Sequence, residues 1–366
     1  MQPKILFILH LPPPVHGASM VSKRLKNSSL INSSFSANYI NLATSFNLED
    51  IGKQSKGKFS ALLKILKNIT KALSKTNYDL CYMTLTSAGP GFYKDLLVVI
   101  LLKLFRKKIV FHFHNKGVKT NSNIWYKRLC YRFVFHNTKC IMLSPLLYDD
   151  ISNYVKSNDV YYCANGIPKI DITVKKEATP AICKFLFLSN MMEAKGVYTL
   201  LDACEILVNK NLKFECNFVG DWSDIDENKF RNKVQTLGIA NNVFAHGKKY
   251  NADKNPFLEQ ANVFVHPTHE DCFPLVLLEA MQYSLATIAS NEGAIREIVA
   301  HKESGFTIQK KNATALATKM EVFIKNPELA TKMGNEGNRL YKESFTFQTF
   351  EKRIISILNE IITETK

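Results

Sequence analysis

Short apolar segments alternate with longer helix-like segments along most of this 366-residue chain, and this alternation limits the possible folds most strongly. In the first half the alternating segments lie at 4–10, 59–75, 78–85, 92–108, 109–115 and 139–144. A second alternation begins at "CKFLFLSN" and runs through "NVFVHPT". Strands separated by helices form parallel sheets. The sequence therefore predicts an α/β protein with two doubly wound Rossmann-like domains.

The predicted domain boundary lies in a polar segment that contains a Pro, "KIDITVKKEATPA". We expect an N-terminal domain at 1–170, a linker at 171–181 and a C-terminal domain at 182–346. Ligands of doubly wound sheets bind beyond the carboxyl ends of the strands. With two such domains, the cleft between them is the expected site.

Basic residues are concentrated in the first half of the chain. Residues 1–170 hold 24 Lys and Arg against 7 Asp and Glu, a net charge of +17, whereas residues 171–366 have a net charge of −1. A basic domain suits nucleic acid, anionic lipid or a phosphorylated substrate, or it is simply a solvated basic surface. The sequence has no recognisable nucleic-acid-binding motif, so we expect no nucleic-acid partner.

Cysteine spacing and hydropathy bear on the compartment. The eight Cys form no CxxC pair and show no zinc spacing, which is typical of free thiols in a reducing compartment. The longest apolar run, 96–105, contains Lys103 and is far shorter than the roughly 20 residues of a membrane span. The apolar run at the N-terminus is too short for a signal peptide. These features predict a cytoplasmic protein.

The stretch 268–299 contains a loop and helix start suited to phosphate. A helix is predicted to begin near Pro274, because Pro is tolerated in a first helical turn. The amides of Phe273, Leu275 and Val276 then lie at the positive end of the helix, where phosphate groups bind. The stretch therefore predicts a phosphate site.

Carboxylates near the same helix start indicate a second kind of ligand group. Glu279 lies more than one turn into the predicted helix, so it is suited to ribose hydroxyls rather than to the phosphate. Asp271 lies in the loop, where it could accept hydrogen bonds from a sugar. Amides for a diphosphate and carboxylates for the polyols on either side predict a nucleotide-diphosphate sugar as the ligand.

The segment "EDCFPLVLLEAM" resembles the signature E-G-F-G-L-V-L-L-E-A-M of the family-4 retaining glycosyltransferases. This resemblance implies the GT-B fold, two doubly wound domains facing across a deep cleft. Asp271 and Glu279 match the two acids of the family. This chain has Asp at 271 instead of Glu, and Cys272 and Pro274 instead of two glycines. Glu270 stays open as an alternative first acid.

The segment "FLFLSNMMEAKGVYTLLDA" resembles the family's strand–loop–helix stretch that binds phosphate. Lys195 matches the family's phosphate-binding Lys, which implies that it neutralises the departing diphosphate. Asn190 replaces the family's Arg, so one charge is missing from this site. Segments such as "FVGDW", "GAIREIV" and "HKESGFTI" match in order as well.

In the N-terminal half, "LPPPVHGASMVSKRL" resembles the family's Gly-containing loop after the first strand. Gly17 permits close backbone approach, and the amides of Ala18 and Ser19 are expected to open a helix toward the donor. The segment "IVFHFHN" resembles the strand that ends in a family His near the donor sugar, which we align with His114. His112 is the alternative on the same side of that strand, and His16 is a further candidate contact.

The C-terminal segment 347–366 resembles the family's closing helix, which crosses back to the N-terminal domain. The resemblance also implies that neither a cofactor nor a metal is required. Asp224 and Asp226 form a D-x-D triplet in a polar loop, and we do not expect it to bind metal.

By resemblance, the chain moves a sugar from a nucleotide-diphosphate sugar, UDP- or GDP-linked, to an acceptor hydroxyl with retention at the anomeric carbon. We expect the acceptor to be a lipid-diphosphate-linked glycan of the bacterial O-antigen or capsule type. The basic segments "KGKFSALLKILKNITKALSK" and "FRKK" suit an anionic membrane surface, which predicts a peripheral protein on the inner face of the plasma membrane. A nucleotide-sugar epimerase or hydrolase and a non-catalytic GT-B subunit remain alternatives.

Overall fold

The computed structural model of the protein describes residues 2–44, 56–170, 182–249 and 251–364. The chain divides into two compact units. The first unit comprises Met1–Asn165 together with Phe347–Lys366, and the second comprises Gly166–Thr346.

The first boundary between the units lies at 165/166, whereas the sequence interpretation extended the N-terminal domain to 170. The expected linker, 171–181, lies outside the described residues. The assignment of 347–366 to the N-terminal side coincides with the return of the chain to the first unit at Phe347.

The first unit contains a parallel sheet of six strands in the order β2-β1-β3-β4-β5-β6. The strands are β1 (Lys4–Leu9), β2 (Ser36–Asn41), β3 (Leu80–Leu85), β4 (Ile109–Phe113), β5 (Lys139–Met142) and β6 (Val160–Tyr162). Every residue of β3 and β4 is buried, because helices cover both faces of a doubly wound sheet. Strand β4 ends at Phe113, two residues earlier than the sequence suggested.

Within residues 2–44 and 56–165, six α-helices accompany the strands of the first unit. They are α1 (Gly17–Asn27), α2 (Ser29–Ser34), α3 (Lys56–Lys75), α4 (Gly89–Leu104), α5 (Val118–Asn121) and α6 (Trp125–Phe135). Helix α4 begins three residues before the predicted segment, with Pro90 in its first turn, where a missing N–H is tolerated. Short 3-10 helices cover Pro145–Asp150 and Ser157–Asp159.

The second unit contains another parallel six-stranded sheet, in the order β12-β11-β10-β7-β8-β9. The strands are β7 (Cys183–Leu188), β8 (Phe214–Val219), β9 (Val243–Ala245), β10 (Val263–His266), β11 (Ala286–Ser290) and β12 (Gly305–Ile308). Its core packs Phe185, Phe187 and Phe218 of the sheet against Leu200 and Leu316 of the covering helices.

The described residues of the second unit, 166–170, 182–249 and 251–346, contain seven α-helices. They are α7 (Val197–Asn209), α8 (Glu227–Thr236), α9 (Asn255–Gln260), α10 (Leu275–Gln282), α11 (Ile295–Ile298), α12 (Ala313–Lys325) and α13 (Pro327–Ser344). Short 3-10 helices cover Glu193–Lys195 and Asn251–Lys254.

Strand order locates a topological switch point in each sheet. Read from its first strand, the second sheet has the order 3-2-1-4-5-6, and the order reverses between β7 and β10. The first sheet reverses between β1 and β3. Loops that follow the two strands at a switch point diverge to opposite sides and leave a crevice that binds ligands. The loops after β7 and β10 are therefore where a ligand site is expected in the second unit.

Helix α14 (Phe347–Thr363) packs within the first unit. It buries Phe350, Ile354 and Leu358, and the Lys108 Nζ donates to the Ile361 carbonyl at 2.6 Å. Glu351 of α14 accepts a short hydrogen bond from Ser28, the residue that caps α2. The apolar face of α14 is therefore buried in the first unit, and both ends of the helix form hydrogen bonds with it.

Candidate functional site

The loops after β7 and β10 are held together at the switch point of the second unit. Gly196 has a left-handed φ of 81°, and a Cβ added there would lie 2.1 Å from the Pro267 carbonyl oxygen. The Ala194 carbonyl accepts from the His269 amide at 2.8 Å and from the Thr268 hydroxyl at 3.2 Å. This close approach of two backbones brings Lys195 beside the acidic loop.

Lys195 and Asp271 form an ion pair across these loops. The Lys195 Nζ lies 2.7 Å from Asp271 Oδ2 and also donates to the Glu270 carbonyl at 3.1 Å. The buried His266 places its Nε2 3.6 Å from the same Asp271 oxygen. Burial of Asp271 would raise its pKa, but His266 and Lys195 outweigh burial and lower the pKa to about 2. Asp271 is therefore a carboxylate at neutral pH.

Asp271→Asn should remove the pH-dependent contribution of the Asp271 carboxylate to the free energy of unfolding. The folded-state pKa of about 2 is below the ordinary 3.8, so the stabilisation is full above pH 4 and is lost as the pH falls towards 2. We expect the free energy of unfolding of wild type to exceed that of Asp271→Asn by about 2 kcal/mol at neutral pH, and this difference should shrink in acid. Chemical unfolding at several pH values measures it.

The control for this variant is Asp202→Asn, which breaks the exposed ion pair of Asp202 with Lys233. Exposed pairs contribute little, so its stability difference from wild type should be small throughout. A difference for Asp271→Asn that stays constant between pH 7 and pH 2 would contradict the electrostatic assignment.

The structure distinguishes the two candidate first acids by their surroundings. Glu270 is exposed, and its backbone carbonyl is the group that accepts a hydrogen bond from Lys195. Asp271 is half-buried, pairs with Lys195 and accepts from the Cys272 amide at 2.9 Å through Oδ1. The geometry of the described residues favours Asp271.

The start of α10 differs by one residue from the sequence interpretation. Pro274 is the N-cap with an extended backbone, and the helix begins at Leu275. Leu275 and Val276 are thus the first two helical residues, whose amides have no acceptor within the helix. The Phe273 ring is buried and lies 6.1 Å from the ring of Phe345. This packing fixes the loop immediately before the helix.

Glu279 pairs with a residue that sequence analysis did not single out. Its Oε2 lies 2.6 Å from the Nζ of Lys254, at the end of a short 3-10 helix. Both side chains are about one-fifth to one-quarter exposed, at 19% and 25%. A Lys before "NPFLEQA" is too ordinary a local pattern to have indicated this pair. Lys254 belongs to the candidate site as the residue that orients Glu279.

Asn190 lies in the loop after β7 and is half-buried. This loop packs tightly on the next one, because the Met191 amide donates to the Asp221 carbonyl at 2.8 Å. A Cβ at Gly220 would lie 1.7 Å from the Ser189 carbonyl oxygen. Asn190 is thus held on a rigid backbone on the Lys195 side of the switch point.

The D-x-D triplet has a structural role in the described second unit. Asp226 caps α8 by accepting from the Lys229 amide at 2.8 Å, and Asp224 accepts from the Glu193 amide at 3.2 Å. Across residues 2–44, 56–170, 182–249 and 251–364, no group of three or more His, Cys, Asp and Glu is arranged to hold a metal ion. Within the same residues, no helix is long and apolar enough to cross a membrane.

In the first unit, His112 and His114 occupy different surroundings on one side of β4. Their ring centroids are 4.3 Å apart. His112 is fully buried, and its Nδ1 makes a short hydrogen bond with the Tyr82 hydroxyl, as expected for a core residue. His114 lies just past the strand and is half-buried. Burial, followed by the charges of His16 and His10, lowers the pKa of His114 to about 3, so it is neutral at pH 7.

Gly17 and Ala18 are the first two residues of α1. His16 caps this helix, since its Nδ1 accepts from the Ser19 amide at 3.3 Å while Ser19 Oγ accepts from the His16 amide at 2.9 Å. Gly17 is exposed and Ala18 is half-buried, so the helix start is accessible. His16 thus has a definite structural role in addition to its candidate role in binding.

A charged cluster at the switch point of the first sheet was missed by the sequence analysis. His10 Nδ1 lies 3.0 Å from the Thr84 hydroxyl, and its Nε2 lies 3.0 Å from Lys94 Nζ. The fully buried Asp95 is 3.4 Å from Lys94 and accepts from the Thr86 amide at 2.8 Å. Burial lowers the pKa of His10 to about 4. Only the fold brings these residues together, because they are up to 85 positions apart.

The second unit matches a known protein family. Residues 174–340 match the family described as glycosyl transferases group 1. The capsular polysaccharide biosynthesis glycosyltransferase CapM of Staphylococcus aureus is 25% identical over 183 residues, 49% of this chain and 47% of CapM. The putative colanic acid biosynthesis glycosyltransferase WcaL of Escherichia coli is 23% identical over 51% of this chain and 47% of WcaL. The chain spans about half the length of these curated relatives.

Solved structures match the whole chain. Sucrose-phosphate synthase from Thermosynechococcus elongatus has a TM-score of 0.77 and 16% identity, with 100% of both chains covered. Anabaena HepE in complex with UDP has a TM-score of 0.72 and 16% identity, with 98% of this chain and 100% of HepE covered. Similarity at this identity establishes the fold. The predicted fold class is confirmed: the chain has the α/β GT-B fold of two doubly wound units, and its residues 174–340 match the group 1 glycosyl transferases.

Proposed function

We propose that this protein is a retaining glycosyltransferase that moves a sugar from a nucleotide-diphosphate sugar to a lipid-diphosphate-linked glycan. The observation that carries the proposal is the pairing of Lys195 with Asp271 at the switch point, beside the amino-terminal end of α10. The relatives named for capsular polysaccharide and colanic acid biosynthesis support bacterial surface polysaccharide assembly as its setting.

The proposed donor site uses charge and backbone amides in the second unit. Lys195 neutralises the diphosphate together with the amides of Phe273, Leu275 and Val276. Asp271 then accepts hydrogen bonds from the sugar. The family resemblance of the chain and the neighbouring structures solved with UDP and UDP-glucose support a UDP-linked donor first and a GDP-linked donor second. The proposal includes no cofactor and no metal, because Lys195 and the helix end supply the positive charge.

Glu279 is proposed to accept hydrogen bonds from the ribose hydroxyls. Its carboxylate oxygens offer more acceptor positions than the single contact with Lys254 at 2.6 Å uses, so Lys254 orients it without saturating it. In the first unit, the proposed contacts to the donor come from the amides of Gly17 and Ala18 and from the neutral imidazole of His114.

The proposed chemistry needs no covalent intermediate on the protein. The acceptor hydroxyl attacks the anomeric carbon from the face that the diphosphate leaves, and the departing phosphate oxygen takes the hydroxyl proton. The bond from the anomeric carbon to the leaving oxygen breaks as the new glycosidic bond forms. The protein contributes positioning and stabilisation of the diphosphate charge.

Donor binding is tested by thermal unfolding with UDP-, GDP-, ADP-, CMP- and dTDP-sugars. A UDP-sugar should raise the Tm of wild type, because a ligand at about 100 times its Kd stabilises the folded state by about 2.7 kcal/mol. Glu279→Gln should lose most of this stabilisation, because the amide keeps one acceptor oxygen whereas the carboxylate has two for the two ribose hydroxyls.

Lys254→Met is the matched control, since it breaks the same ion pair and leaves the carboxylate in place. It should lose clearly less donor stabilisation than Glu279→Gln, because the carboxylate remains and only its orienting partner is removed. Equal loss in both variants would assign the effect to the ion pair and remove Glu279 from the ribose. A panel in which no nucleotide sugar raises the Tm of wild type would overturn the proposed function.

A further inference from the structure

Helix α4 exposes an apolar stripe on the surface of the first unit. Tyr93, Leu97 and Leu104 are exposed, and Leu104 is 74% exposed. Their spacing of four and seven residues puts them on one side of the helix, with the half-buried Ile100 and Leu101 between them. The opposite side, which includes Val98 and Leu102, is fully buried. An apolar stripe of this length on the outside of a helix has no role in the core of the unit.

Helix α6 presents a second stripe beside the first. Trp125, Tyr126, Leu129 and Phe133 are exposed, and Trp125 is 72% exposed. The spacing of four residues between Trp125, Leu129 and Phe133 gives this helix one apolar outer side as well. We call the exposed apolar residues of both helices the α4/α6 face: Tyr93, Leu97, Leu104, Trp125, Tyr126, Leu129 and Phe133.

The two stripes are joined along their length. At one end, desolvation and then a side-chain hydrogen bond with Tyr126 raise the pKa of Tyr93, so the two hydroxyl groups lie within hydrogen-bond distance. At the other end, Lys103 Nζ lies 5.1 Å above the Phe133 ring and donates to the His136 carbonyl at 2.6 Å. The α4/α6 face is therefore one continuous patch.

The segment that carries this face is strongly basic. The segment 89–136, which contains both helices, has ten Lys and Arg and one acid, Asp95. Asp95 is fully buried and accepts from the Thr86 amide, so it adds no negative charge to the surface. An aromatic and aliphatic surface surrounded by cations is complementary to anionic headgroups above an acyl layer.

Helix α3, which the sequence suggested for membrane binding, uses its apolar side differently. Ile65, Ile69 and Leu73 are buried within the unit, so the amphipathic pattern of this helix is explained by packing on the sheet. Phe59 and Leu63 alone remain exposed among its large apolar residues in the described structure. Helix α3 therefore offers a smaller apolar surface than the α4/α6 face.

We propose that the α4/α6 face docks the protein on an anionic lipid bilayer, with Trp125 at the level of the headgroups. Trp and Tyr favour this interfacial layer because their rings are amphipathic. The inference deepens the proposed function, on which it rests for a lipid-linked acceptor, and it names the surface that meets the membrane.

The proposal is tested with vesicles of equimolar phosphatidylglycerol and phosphatidylcholine. A triple variant, Leu97→Ser/Trp125→Ser/Leu129→Ser, should bind these vesicles at least about tenfold more weakly than wild type in co-sedimentation. The matched control, Phe59→Ser/Leu63→Ser, removes the exposed apolar residues of α3 and should bind within about twofold of wild type. Equal weakening by both variants, or none by the triple variant, would overturn the proposal.

Trp125 also reports its own position. The chain has two Trp, Trp125 and Trp222, so Trp222→Phe leaves Trp125 as the one indole fluorophore. Its emission should shift to shorter wavelength on anionic vesicles and be quenched by brominated lipids. An unchanged spectrum at saturating lipid would overturn the proposal. A dimer in light scattering that the triple variant abolishes, with no vesicle binding by wild type, would assign the face to a second copy of the chain.

Donor binding separates this inference from the proposed function. The triple variant should show the same donor-induced rise in Tm as wild type, because none of its substitutions touches the second unit. Normal donor binding without vesicle binding by wild type overturns the docking proposal alone. Vesicle binding by wild type without any donor binding overturns the proposed function and leaves the docking surface in place.

Discussion

Replacing Lys195 by Ala is expected to lower kcat/KM for sugar transfer by about 10²- to 10³-fold, the largest effect on activity that we predict. The Lys195 ammonium lies 2.7 Å from Asp271 and is 25% exposed, so it can meet a ligand phosphate without first breaking out of the core. If charge on the diphosphate develops in the transition state, removing this cation should lower kcat as well as kcat/KM.

The comparison variant is Lys210→Ala. Lys210 also forms an ion pair, with Glu321 at 2.6 Å. It follows the carboxyl end of α7, away from the edge of the sheet at which the strands end. It should keep wild-type turnover. Proton NMR of the product from the same assays reads the anomeric configuration, and inversion would remove retention from the proposal. Wild-type kcat and KM in Lys195→Ala would contradict the role proposed for Lys195.

Most strands and helices were predictable because both units are doubly wound, but the edge strands β2, β6 and β12 were not identified from the sequence. Strands buried on both faces, such as β3 with "LCYMTL" and β7 with "CKFLFL", read as continuous apolar runs. Boundaries were less certain: a segment such as "IVFHFHN" contains no signal that the strand ends at Phe113. The cap at Pro274 shows the same limit at a helix start.

Pairs between distant residues could not be predicted from one sequence. Lys195 was identified because a family motif surrounds it, whereas Lys254 lies outside such a motif and meets Glu279 only after folding. The contact of His10 with Lys94 depends likewise on the neighbouring positions of β1 and β3. A local sequence pattern indicates the helix or strand to which a residue belongs. The order of the strands in the sheet determines which distant residues it contacts.

The amphipathic helices show a further limit of sequence periodicity. The pattern of α3 correctly indicated one apolar side, but it could not indicate that the sheet already occupies that side. Helix α4 is apolar nearly all round, which is typical of a buried helix, yet its outer stripe is exposed. Only the burial of each side chain in the fold shows that the apolar side of α3 is covered and that the outer stripe of α4 is exposed.

Gly196→Ala is expected to destabilise the protein by more than about 3 kcal/mol, the largest effect on stability that we predict. The residue has a left-handed backbone, which costs a residue with a Cβ about 1–2 kcal/mol. In addition, the new Cβ would lie 2.1 Å from the Pro267 oxygen and 2.7 Å from the Pro267 carbonyl carbon, so the two loops would have to separate. That separation would also move Lys195 away from Asp271.

Gly238→Ala isolates the backbone part of this effect. Gly238 has a similar φ of 66°, but a Cβ there meets no atom within 4 Å, so the cost should be about 1–2 kcal/mol. Urea unfolding of the two variants measures the difference, which is the energetic cost of forcing the loops apart. Gly196→Ala should therefore also lose donor-induced stabilisation, whereas Gly238→Ala should keep it. Equal destabilisation by the two substitutions would show that the loops after β7 and β10 yield easily, and the close packing at the switch point would then not be what fixes Lys195 beside Asp271.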